Sequence, residues 1–107
     1  MRFDEGLKIT FLAVINDSRC PIGACCITAG DAEVLLRVRV GKMAPKIISI
    51  HTNHEPRVVV LSAVPPGTIG IPKSYSVSVE ELTPRPRIGR KIKQSDYRLS
   101  LSISIAL

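Results

Sequence analysis

The chain has 107 residues, 45% hydrophobic and 22% charged, with no tryptophan and a formal net charge of +6. That length makes a single domain, 1–107, with a modest core, and the composition excludes disorder and a membrane-spanning helix, which needs about 20 consecutive apolar residues. The charge excess is mild in both halves, seven basic against five acidic side chains in residues 1–54 and eight against four in 55–107, so it raises affinity for anionic surfaces without specifying nucleic acid.

The N-terminus, Met1-Arg2-Phe3-Asp4-Glu5-Gly6, has acids where a secretory leader has a basic and then an apolar region, so the chain as written carries no export address. With few aromatics, the core falls to Val, Ile and Leu, which suit pleated sheet. Residues 7–15 alternate as a strand, Leu7, Ile9, Phe11, Ala13 and Ile15 sharing one face, and Asn16-Asp17-Ser18 ends it in a turn. Residues 32–40 form the second strand, with Val34, Leu36, Val38 and Val40 on one face. Gly41-Lys42 then turns the chain into Lys46–His51 as a hairpin. After a turn at 52–56, the unbroken apolar run 57–62 reads as a buried central strand or one covered on both faces. Pro65-Pro66-Gly67 and Ile71-Pro72 bracket a loop. Residues 75–80 alternate again, 83–93 is a basic, proline-broken connection, and the last strand sets Tyr97, Leu99, Leu101, Ile103 and Ile105 against a face of Arg98, Ser100, Ser102 and Ser104. No window has a helical period. Short strands separated by turns predict an all-β fold, an antiparallel β-sandwich or small barrel of six to seven strands.

All three cysteines lie in residues 16–30. Cys20 and Cys26, six positions apart, are the disulfide candidate, a bridge worth about 2 kcal/mol in the chain-entropy picture; the alternative is free thiols serving as small apolar groups. Cys25 and Cys26 face opposite ways on an extended chain, so at most one pairs with Cys20. Asp17, Arg19, Pro21, Gly23 and Gly30 read as the structural turn around them: Asp17 accepts backbone N–H bonds, and the Arg19 fork suits carbonyls, an acid or a carboxylate ligand.

The run Asp17, Ser18, Arg19, Cys20, Pro21, Gly23, Cys26, Ala29 and Gly30 resembles a signature of an uncharacterised bacterial all-β domain family, frequent in exported proteins and lipoproteins. The likeness extends more weakly to Leu-Thr-Pro-Arg-Pro at 82–86 and to the Tyr97 strand. It implies a small β domain and brings no catalytic residues; by the resemblance the protein is exported, otherwise cytoplasmic. Thr28 stands where a tryptophan is frequent, and Cys25 is extra.

The remaining chemistry is sparse. His51 and His54, with Cys25 as a soft donor, are the metal-ligand candidates, but their spacing fits no familiar finger pattern. A Cys–His nucleophile pair has no sequence context, Glu80 and Glu81 face opposite sides of a strand, and there is no phosphate-binding glycine loop. The chain is therefore expected to be no enzyme and to use no cofactor. Arg85, Arg87, Arg90, Lys91 and Lys93 form the anion-binding candidate; nucleic acid is disfavoured because no aromatic lies among them to stack a base. The leading expectation is a non-catalytic interaction module of unnamed protein or small-molecule ligand, self-associating as a homo-oligomer through a sheet edge or the serine face. An anion or nucleic-acid binder using residues 85–93 is the second, and a Cys/His metal-binding domain the third.

Overall fold

Alternating β-branched residues separated by glycine and proline turns leave the backbone little choice but sheet. The computed structural model describes residues 2–4, 6–62 and 74–106; the 65–72 loop lies outside them. Among the described residues seven strands form: β1 (Arg2–Asp4), β2 (Leu7–Asp17), β3 (Ala32–Val40), β4 (Lys46–His51), β5 (Val58–Ser62), β6 (Ser74–Thr83) and β7 (Arg98–Ala106). They make two sheets, a four-stranded one in the order β1-β2-β3-β4 and a three-stranded one in the order β5-β6-β7. Among the described residues every strand ladder is antiparallel and neither sheet closes into a barrel. The only helical piece among the described residues is a 3-10 turn at Gln94–Asp96.

The two inner faces share one apolar cluster. Leu7, Ile9, Val34, Leu36, Val38 and Ile50 come from the first sheet and Leu61, Tyr75, Val77 and Leu82 from the second. The Gly6 backbone approaches the Tyr75 hydroxyl so closely that a β carbon at Gly6 would stand 3.0 Å from it. A second tie is the Gln94 side chain, which accepts from the Val14 N–H at 3.0 Å and donates to the Val14 carbonyl at 2.7 Å. One amide thus replaces a strand neighbour on the open edge of β2. The molecule is elongated, with a radius of gyration of 16.0 Å and extents of 54 × 25 × 16 Å.

Several expectations need correction. Strand β2 does not keep one face: bulges between Phe11 and Ala13 and between Val14 and Asn16 each insert an unpaired residue. An added residue flips the alternation, so Val14 is buried while Ile15 is exposed. The strand also runs on through Asn16 and Asp17 instead of ending before them. The apolar run 57–62 is neither central nor doubly covered: β5 is an edge strand, with Val58 and Val60 exposed at 54% and 62%. An apolar run reports affinity for sheet, not the number of neighbours. A bulge between Val79 and Glu81 likewise breaks the alternation on which the opposed Glu80 and Glu81 rested; both are exposed. Strand β3 and the β3–β4 hairpin have the expected bounds and pairing.

Candidate anion-binding site

The site begins at the end of β2, where Asp17 and Arg19 project beside the start of the basic connection. The Arg19 fork closes on Asp17 with Nε to Oδ1 and Nη2 to Oδ2 both at 2.8 Å, a bidentate pair. Its remaining donors reach across to the other sheet: Nη1 donates to the Leu82 carbonyl at 2.6 Å and Nη2 to the Pro84 carbonyl at 2.9 Å. The Tyr97 hydroxyl donates to Asp17 Oδ2 at 2.9 Å. Burial opposes ionisation of Asp17, but the Arg19 and Tyr97 bonds outweigh it and hold the carboxyl below its ordinary value. Burial and the Asp17 charge push the Tyr97 phenol up to about 12.

Residues 18–31 continue the β2–β3 hairpin as an irregular ladder. Ser18 N–H donates to the Asp31 carbonyl at 2.6 Å and Cys20 N–H to the Ala29 carbonyl at 3.0 Å. Gly30 has φ of 72°, and a β carbon there would overlap the Ser18 carbonyl, so this closure needs glycine. Beyond it, the sulfurs of Cys20 and Cys26 lie at bonding distance, and Cys25 is free and exposed. The closed loop rests against the basic connection: Ile22 N–H donates to the Pro86 carbonyl at 2.7 Å, and Ile22 pairs with Arg87 in an isolated parallel bridge. Pro21 accepts from the Ala24 N–H at 3.1 Å, and Gly23, with φ of 97°, sits beneath the Ile88 side chain.

The basic connection is thereby held at three places: by Arg19 at its start, by Ile22 in its middle and by Gln94 at its end. It folds into a cleft of about 180 Å³ lined by Pro84, Arg85, Arg87, Arg90, Lys91 and Ile92, with Asp96 at its side. Four of the five cations that the sequence grouped converge there; Lys93 is not among the lining residues. Arg90 N–H donates to the Arg87 carbonyl at 3.1 Å, closing the turn that brings these side chains together.

His51 and His54 belong to a different constellation, centred on Asp31. The buried Asp31 carboxylate accepts from His51 Nδ1 at 2.6 Å and from the backbone N–H groups of Asn53 and His54, both at 2.9 Å. Burial works against its charge, but these donors prevail and bring its pKa to about 2. No group of three or more His, Cys, Asp or Glu side chains among the described residues is placed to hold a metal. Asp31 was missed in the sequence because it reads there as one more turn residue after Gly30. Gln94 was missed because a lone polar residue carries no periodicity. For Tyr97 only its place at the head of the last apolar face was visible.

Compared with family models, with curated proteins and with solved structures, the chain matches none.

Proposed function

We propose that the protein is a non-catalytic β-sandwich binding module that captures a compact, multiply charged oxyanion in the cleft of residues 84–92. The observation that carries this is the convergence of Arg85, Arg87, Arg90 and Lys91 on one concavity. Guanidinium forks suit phosphate oxygens, and several cations around one anion give charge-assisted bonds that a solvated charge run does not. The cleft, about 180 Å³, is smaller than the roughly 300–1,000 Å³ that a drug-sized ligand occupies, which points to a phosphate group rather than a whole nucleotide. Titration calorimetry with inorganic tripolyphosphate tests the proposal. The protein binds it, and the pair Arg87→Glu and Arg90→Glu weakens binding by at least about tenfold. No heat from the unmodified protein, or equal binding by the pair, overturns it.

A second reading, self-association, is favoured by the outer face of the β5–β6–β7 sheet. Val58 stands opposite Ser78 and Val60 opposite Ser76, and these serines stand opposite Ser102 and Ser104. At these positions three neighbouring strands present an uncharged patch, with Glu81 and Arg98 on the same face at its end. On a molecule of net charge +6, that is where two copies can meet without repulsion, and a two-fold contact needs only a surface complementary to itself. Sedimentation over a range of concentrations tests it.

A further inference from the structure

We propose that the disulfide loop and the basic connection together form a membrane-surface anchor for anionic phospholipids. The anchor rests on the cleft argued above and names the source of its anion, the headgroup phosphate. Three isoleucines of the disulfide loop and the basic connection are exposed: Ile22 by 42%, Ile88 by 64% and Ile27 by 104%. Single exposed apolar residues are ordinary and call for no account. These three are not scattered. Ile22 pairs with Arg87 through the backbone, Ile88 packs over Gly23, and Ile27 follows the bridged Cys26 in the same loop.

Isoleucine beside arginine and lysine on protruding loops is the combination that the water–lipid boundary takes up. The cations hold phosphates at headgroup depth, and the apolar chains enter the acyl edge below them. A soluble anion would use the cleft but give the isoleucines no role. A nucleic acid strand would want exposed aromatics, and both tyrosines are buried, Tyr75 at 2% and Tyr97 at 8% exposure. The bridge between Cys20 and Cys26 also reduces the ordering that Ile22 undergoes on contact, because its loop is already closed.

The test is flotation of the intact protein with vesicles of phosphatidylcholine alone and with about one-third phosphatidylserine. The expected result is binding to the anionic vesicles only. Arg87→Glu with Arg90→Glu removes that binding, each lost cation costing about fivefold. Ile27→Ser with Ile88→Ser weakens vesicle binding by about tenfold or more while leaving tripolyphosphate binding unchanged, since neither side chain lines the cleft. Tripolyphosphate binding without vesicle binding overturns the anchor and leaves the cleft standing. Binding to neither overturns both, and vesicle binding without tripolyphosphate binding overturns the cleft and the anchor that rests on it. Vesicle binding unchanged by the isoleucine substitutions, or tighter binding to a random-sequence oligonucleotide than to the vesicles, also overturns the anchor.

Discussion

Asp31 ties two distant segments to the start of β3, one through its carboxylate and one through its backbone. Its side chain holds His51 and the turn at 53–54, and its backbone closes on Ser18. With a folded pKa of about 2 against an ordinary 3.8, it stabilises the fold when charged. That contribution is fully present above the ordinary value and is lost as pH falls through the folded one. Urea unfolding followed from pH 7 downward should therefore show stability falling between about 4 and 2, with on the order of 2 kcal/mol of the loss due to Asp31. Asp31→Asn should be weaker at pH 7 and show a shallower acid limb, the remainder coming from Asp17; an unchanged limb would refute the assignment. Asp17 and Arg19 were legible in the sequence because two positions separate them. Asp31 was not, because its side-chain partners lie 20 to 23 residues away and are brought back by the β3–β4 pairing, which sets His51 opposite Glu33, and by the turn after β4.

Strands were legible where alternation ran unbroken and illegible where a single residue was inserted. In β3, residues 32–40 carry an uninterrupted period of two: Val34, Leu36 and Val38 are buried as expected, Ala32 joins them, and Val40 is half-buried. In β2 each bulge inverts the pattern, and nothing in Leu12 or Ile15 announces it. Strand β1 is three residues long, too short to show any period. The cleft was half legible: its cations are grouped in the sequence, but the residues that shape it, Arg19, Ile22 and Gln94, act from other elements. This division makes the cystine loop separable from the sheets. Cys20→Ser with Cys26→Ser should cost about 2 kcal/mol of stability through the unfolded chain. Amide exchange in β3 and β6 should follow only that global loss, whereas the Ile22 amide, bonded to Pro86, should exchange disproportionately faster. Equal acceleration everywhere would show that the loop is part of the sheets' own cooperative unit.

At the level of the whole molecule, the 16.0 Å radius of gyration exceeds the about 13 Å of a compact domain of this size. The two sheets leave β1, β4, β5 and β7 as edges, and the outer face of β5 exposes Val58 and Val60. Neither edge position nor elongation was readable from the sequence, because alternation says which side of a strand is greasy and nothing about its neighbours. If the valine and serine patch joins two copies, Val60→Lys should convert the dimer to a monomer in sedimentation velocity, because a cation directly across a two-fold contact meets its own image. An unmodified protein that stays monomeric at high concentration would refute the contact.

The neutrality of that patch carries one more consequence. The valine and serine positions carry no ionic group, with Glu81 and Arg98 only at the end of the face, so dissolved salt has little to screen there, and sulfate, which strengthens apolar burial, should tighten any pairing through it. Arginine-held phosphate responds in the opposite sense. If both contacts form, raising ionic strength should therefore drive the chain off its anion and onto its twin.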